Sequence, residues 1–202
     1  MNTGSLPFPP LRRGRAHEVC GPGSVFFALA QAARIGGPLL WVAESWQTER
    51  INPAGIAALI DPGRLLLAEP RDQTEALAVT EEALRSGAVP LVVTELTKPL
   101  GLTPGRRLQL AARDGNTTAL SIIADRLENG SAGSNAAETR WHCAPVFDTV
   151  FDAAGSTLQR WSLIKNKSGT LEGWHVRWDA QTHRLDLVSP AGERPGPEAA
   201  PG

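Results

Sequence analysis

Between Glu18 and Glu44 the chain reads EVCGPGSVFFALAQAARIGGPLLWVAE, and the fold is decided there. The run Glu18-Val19-Cys20 enters a Gly21-Pro22-Gly23 turn, Ser24 is suited to cap a helix, and Val25 to Ile35 is Ala-rich and apolar enough to form a buried one. Gly36-Gly37-Pro38 stops that helix. Leu39-Leu40-Trp41-Val42-Ala43 follows as a continuous apolar run, which is what a strand needs when helices cover both its faces. Strand, turn, helix and strand in this order make a βα unit of a mostly parallel sheet.

The alternation continues to Asp125. A short helix near Pro53 to Ile60 leads through Asp61-Pro62-Gly63 into a strand at Arg64 to Ala68. Asp72, with Glu75 three residues on, caps a helix whose apolar face is Ala76, Leu77, Val79, Ala83 and Leu84, and Gly87 ends it. The strand Val89 to Thr94 closes on Glu95. Thr103-Pro104 opens a fourth helix through Leu108 and Leu110, followed by a strand at Thr118 to Ala124. Residues 18–127 thus read as an α/β core with four or five parallel strands, and residues 1–17 as an N-terminal arm.

From Glu128 to Thr139 the sequence ENGSAGSNAAET holds no aliphatic residue larger than Ala, so a mobile loop dispensable for folding is expected. Residues 140–189 read as an antiparallel β extension, because Leu158 to Lys165, Gly173 to Asp179 and His183 to Leu187 alternate with period two. One parity carries Trp161, Leu163, Trp174, Val176, Trp178, Leu185 and Leu187 onto the core, and the other exposes Arg160, His175, Arg177 and Arg184. Residues 190–202 lack apolar bulk and read as a disordered tail.

A length of 202 residues suits one domain with an appendage. Twenty basic against 21 acidic residues give a net charge of −1, which excludes a generally polycationic nucleic-acid binder and leaves room for a local basic patch. Twenty glycines and 16 prolines exceed the usual share and belong in loops and tails. Cys20 and Cys143 form no CxxC pair, so neither a disulfide framework nor a zinc ribbon is indicated and a reducing compartment is the simpler reading. His142, Cys143, His175 and His183 match no zinc spacing, so no metal is expected. The longest apolar candidate, Val25 to Leu40, is interrupted by Gln31, Arg34, Gly36 and Gly37, and MNTGSLPFPPLRRGR lacks the uninterrupted apolar stretch of a signal peptide. The expected location is the cytoplasm.

Three stretches share one order and spacing with RecA-like recombinases. LRRGRAHEVCGPGS, Leu11 to Ser24, resembles the approach to their nucleotide-binding loop. LLWVAE, Leu39 to Glu44, resembles the strand ending in their catalytic glutamate. Leu65 to Leu96 resembles the stretch from the third strand to the Walker B strand, with Glu95 where aspartate is usual. The resemblance implies a RecA-like fold. A Walker A loop, however, needs G-x-x-x-x-G-K-[ST], whose backbone N–H groups curl around phosphate, whose Lys holds the β/γ-phosphates and whose hydroxyl ligates Mg²⁺. In the register set by Gly21, Phe26 replaces the second glycine, Phe27 the lysine and Ala28 the hydroxyl residue. The cradle is read as filled with aromatic carbon, so no nucleotide cofactor and no catalytic residue are expected, and Glu44 and Glu95 become vestigial acids.

A RecA-like core without Walker A, the helix TPGRRLQLAAR at Thr103 to Arg113, and the Trp-rich ending from Trp161 to Val188 together resemble the ImuA family. That resemblance implies a non-catalytic accessory role in damage-induced, error-prone translesion DNA synthesis, the SOS mutagenesis response. The implied partners are an ImuB-like, Y-family-related protein, an error-prone replicative-type DNA polymerase and RecA, with DNA contacted indirectly and the protein near the nucleoid when DNA is damaged. The candidate contact residues are Arg160, Arg177 and Arg184 on the sheet, then Arg106 and Arg107 on the fourth helix. The competing readings are a SulA-like division inhibitor that binds FtsZ and a nucleotide-dependent RecA-like ATPase. The appended sheet favours the accessory role over the inhibitor.

Overall fold

A computed structural model describes residues 8–125, 133–147, 157–179, 181–182 and 184–190. The elements are β1 (Ala16–Cys20), α1 (Ser24–Ile35), β2 (Leu39–Val42), α2 (Pro53–Ile56), β3 (Leu65–Ala68), α3 (Gln73–Ser86), β4 (Leu91–Glu95), α4 (Leu102–Asp114), β5 (Thr118–Ile122), β6 (Thr139–Pro145), β7 (Gln159–Asn166), β8 (Gly173–Asp179) and β9 (Arg184–Pro190). All nine strands belong to one sheet, in the order β3-β2-β4-β5-β1-β6-β7-β8-β9. Neighbours from β3 to β6 are parallel, and those from β6 to β9 antiparallel. The α/β class and the antiparallel C-terminal strands are therefore as the sequence predicts. The sequence reading passed over β6, whose TRWHCAP has no aliphatic run. It pairs in parallel with β1 and joins the meander to the core without a break.

Local signals set the element ends. Asp72 Oδ1 accepts the Glu75 N–H at 3.0 Å, while Glu75 Oε2 reaches back to the Arg71 N–H at 2.8 Å, and Gly87 closes α3 in the left-handed region at φ 68°. α1 begins one residue earlier than its sequence suggests: Ser24 is its first residue and Gly23 its N-cap.

Each side of the sheet has its own core. On the first side α1 is surrounded by Val19, Trp41, Val93, Leu120, Trp141, Trp161, Trp174 and Trp178. On the second, α3 and α4 contribute Ala76, Leu84, Leu108 and Ala112 against Val92 and Ala119. The meander's inward parity is as predicted for Trp161, Leu163, Trp174, Val176, Trp178 and Leu185, all buried. Leu187 departs from it at 39% exposure, because β9 is the last strand of the sheet and its cover runs out there. The indole N–H of Trp178 on β8 donates to the Ala58 carbonyl at 2.9 Å, so the sheet curls around α1 until the meander meets the segment beside α2.

The expectation of a mobile loop does not hold for residues 133–139. Ser134, Ala136, Ala137, Glu138 and Thr139 are buried. Glu18, itself buried, accepts the Ser134 N–H at 2.6 Å and the Arg140 Nε–H at 2.8 Å, while Lys165 and Lys167 donate to the carbonyls of Ser134 and Ala136. The absence of bulky side chains is what lets this backbone lie flat: a Cβ on Gly105 of α4 would sit 2.0 Å from Ser134 Oγ. Polar contacts to the backbone, which composition does not register, supply the attachment. Residues 128–132, like the 191–202 part of the C-terminal tail, lie outside the described residues.

His17 is held within a chain of donors and acceptors. The Trp141 indole donates to Thr139 Oγ1 at 3.0 Å, the Thr139 hydroxyl meets His17 Nδ1 at 2.7 Å, and His17 Nε2 meets the Arg12 carbonyl at 3.1 Å. This chain is satisfied by a neutral imidazole protonated on Nε2. Among the described residues, no helix is long and apolar enough to cross a membrane.

Candidate functional site

The turn between β1 and α1 stands where the sequence places a phosphate loop. Because α1 starts at Ser24, Phe26 and Phe27 are helical residues within it. Phe27 is fully buried, its ring 4.7 Å from the Trp161 ring and 5.3 Å from the Trp141 ring. Phe8 adds contacts to Trp141, Trp161 and Trp174, and the Arg34 guanidinium lies 5.1 Å from the Phe8 ring centre. The backbone of the turn is also occupied. Gly23 N–H donates to the Cys143 carbonyl at 2.8 Å and Ser24 N–H to the Gly21 carbonyl at 3.0 Å. A Cβ at Gly21, which has φ 91°, would lie 2.5 Å from Cys143 O, and one at Gly23 2.6 Å from Gln159 Oε1. β6 and β7 thus press a carbonyl and an amide oxygen onto the turn.

The two acids at the strand ends are held by protein donors. Glu44, 3% exposed, accepts from the Thr97 hydroxyl at 2.8 Å and from the Trp46 indole. Glu95 accepts the Trp41 indole N–H at 2.6 Å, and burial, partly offset by that bond, pushes its carboxyl above the usual range. Trp46 is 61% exposed, and a hollow opens between Trp41, Ala43, Ile51 and Leu67, with carboxylates at its rim. Sequence reasoning singles out Glu44 and not Trp46, two residues on. The only signal there was a large aromatic residue just past a strand end.

The arginines named from sequence stand in two groups. On the meander, Arg160 and Arg184 are exposed and Arg177 is half-buried. Arg177 faces Asp186 and Arg184 faces Asp179 across β8 and β9, so this surface is of mixed charge. Arg160 stands opposite His175. On α4, Arg107 is ion-paired with Glu81 at 2.7 Å, whereas exposed Arg106 has no ion-pair partner among the described residues. His142 Nε2, midway along β6, lies 3.3 Å from Asp125, which follows the end of β5, and Cys143 is buried beneath α1. Burial raises both thiols, Cys20 to about 11, which keeps them protonated. No group of three or more His, Cys, Asp and Glu among the described residues could hold a metal ion.

A mostly parallel sheet of this strand order, with its first helix at the phosphate-loop position and its acids at the ends of β2 and β4, defines a RecA-like α/β fold. The crystal structure of the RadB recombinase superposes on it with a TM-score of 0.65, covering 89% of this chain and 93% of that one at 16% identity. RecA of Symbiobacterium thermophilum (strain DSM 24528 / JCM 14929 / IAM 14863 / T) is 32% identical over 102 residues, 47% of this chain and 27% of that protein. No family model matches the sequence. ImuA of Caulobacter vibrioides (strain NA1000 / CB15N) is 30% identical over 202 residues, 89% of this chain and 81% of that protein, and ImuA of strain ATCC 19089 / CIP 103742 / CB 15 gives the same figures. The chain belongs to the ImuA family.

Proposed function

We propose that this protein is a non-catalytic RecA-like accessory factor of damage-induced, error-prone translesion DNA synthesis, working through contacts with an ImuB-like protein, an error-prone polymerase or RecA. The observation that carries the non-catalytic part is Phe27, buried between Trp141 and Trp161 where a Walker A lysine would stand. A phosphate there would meet ring carbon, with the Gly23 N–H already bonded to Cys143 O. Membership of the ImuA family and the recombinase likeness support the cellular role.

The test is complementation in the source cell. A deletion strain exposed to ultraviolet light should lose induced mutagenesis and recover it with the wild-type chain. Purified protein should retain an ImuB-like partner or RecA on a column. Arg160→Glu with Arg184→Glu should fold normally and weaken that retention at least several-fold. Undiminished induced mutagenesis in the deletion strain would overturn the role. Hydrolysis of ATP by the purified protein would overturn its non-catalytic part.

A further inference from the structure

Of the six tryptophans, Trp41, Trp141, Trp161, Trp174 and Trp178 are buried, whereas Trp46 is 61% exposed. A ring of that size in water is ordinarily free to turn. Trp46 is tethered: its indole N–H donates to Glu44 Oε2, and Glu44 is itself 3% exposed. The acid is fixed in turn, because its Oε1 accepts the Thr97 hydroxyl at 2.8 Å. Next to Thr97, the Gln73 amide grips the Lys98 backbone from both sides, accepting its N–H at 2.7 Å and donating to its carbonyl at 3.2 Å. Past the ends of β2 and β4 the chain thus holds a large aromatic ring in solvent with its orientation already set, so little side-chain freedom is left to lose on binding.

The charge behind the ring is uncompensated. Buried carboxylates are as a rule paired with a cation, yet both donors to Glu44 are neutral and it forms no ion pair among the described residues. Arg50 reaches this loop, but its N–H groups go to the carbonyls of Glu44 and Ser45 and its charge to Glu69 at 3.3 Å. Lys98 is exposed, and its charge acts on Asp72. The faces of an indole attract cations through their own electron density, and a carboxylate bonded to the ring N–H adds to that density. Ring and acid therefore pull in the same direction.

We infer that Trp46 is the docking platform for an arginine carried by a protein partner, whose guanidinium stacks on the indole and supplies the positive charge that buried Glu44 lacks. A guanidinium is flat and weakly hydrated, so it suits an open ring better than the ammonium of Lys. One exposed ring encloses nothing, so a small free cation would not be retained, and the remaining contacts must come from the chain that bears the arginine. A nucleic-acid base would stack as well, but its phosphates would bring negative charge toward Glu44. The inference rests on the reading that this protein works by contact with other proteins, and it names one side chain of such a partner.

Two measurements on the full chain test it. In fluorescence quenching, the accessible fraction of the emission should belong to Trp46, disappear in Trp46→Phe, and be quenched more strongly by caesium than by iodide. In anisotropy titrations, a labelled Gly-Leu-Ser-Arg-Ser-Leu-Gly peptide should bind with a Kd of about 1 mM or tighter, and the same peptide with uncharged citrulline in place of Arg about tenfold more weakly. Trp46→Ala should lower affinity for the arginine peptide at least tenfold with an unchanged melting temperature. Glu44→Gln, which keeps an oxygen for the indole N–H, should lower it about fivefold. Equal affinity for the arginine and citrulline peptides, no binding of either, or iodide quenching as strong as caesium quenching would overturn the inference. Tighter binding of an oligothymidylate, lost in Trp46→Ala, would also overturn it by giving the ring to a base. Should Glu44→Gln not fold, the quenching and citrulline comparisons on the wild-type chain decide. None of these readouts involves mutagenesis in cells, so the proposed role and this site stand or fall separately.

Discussion

Trp178 and Ala58 lie 120 residues apart in sequence, yet the indole N–H of one donates to the carbonyl of the other at 2.9 Å. The bond closes the curl of the sheet over α1, and Trp178 is 5% exposed within the same core as Phe27. Trp178→Phe keeps a ring and loses the donor, so it should cost about 1 kcal/mol, whereas Trp178→Ala should cost roughly 3–5 kcal/mol. Urea denaturation of the two variants checks the difference, and both should unfold in one transition with the core.

The Glu18–Arg140 pair is nearly dry, with side chains 2% and 10% exposed. Replacing one partner leaves a buried charge, so Arg140→Met should cost about 3–5 kcal/mol. The same variant should release residues 133–138, making the chain sensitive to proteases there before global unfolding.

Burial lowers the His17 pKa from 6.5 to about 4, outweighing the Arg12 carbonyl, which favours the proton. The unfolded chain binds a proton below pH 6.5 that the native state refuses until about pH 4, so the stability His17 supports is complete above pH 6.5 and lost as pH falls through that window. The full effect is on the order of 3 kcal/mol. Glu95 works in the opposite direction, because its raised carboxyl takes up a proton sooner in the native state. Denaturation at pH 7 and pH 5 should show a smaller pH dependence for His17→Gln than for the wild type.

Isothermal calorimetry with Mg²⁺-ATP should register no binding at micromolar nucleotide. Phe27→Ala should cost about 3–5 kcal/mol, as expected for an aromatic ring removed from a full core, without producing nucleotide affinity.

Much of this architecture is legible because the sequence marks it locally. Asp72, Glu75 and Gly87 announce α3, and the parity of Trp161, Trp174 and Trp178 gives the inward face of the meander before its partners are known. The replacement of the Walker residues by Phe26, Phe27 and Ala28 is equally plain. What periodicity does not report is who lies alongside. LLLA of β3 has the same apolar run as LLWV of β2, yet β2 is paired on both sides and β3 is an edge. The bond from Gly23 to Cys143 depends on the register of β6 against β1, and the burial of Ser134 and of Ala136 to Glu138 depends on their backbone groups, so neither leaves a trace in hydrophobicity.

The position of Phe27 also bears on what introducing the Walker A residues would cost. A lysine placed there would carry its ammonium into a space bounded by Trp141 and Trp161, with a stability loss suffered at once. Glycine at 26 and threonine at 28 would each have to arrive with it, and the Cys143 carbonyl would have to withdraw from the turn. On the non-catalytic reading proposed above, each of these changes made singly would cost core stability before it offered any phosphate contact, so the core itself would act as a ratchet against nucleotide binding while the outer surface stays free to change.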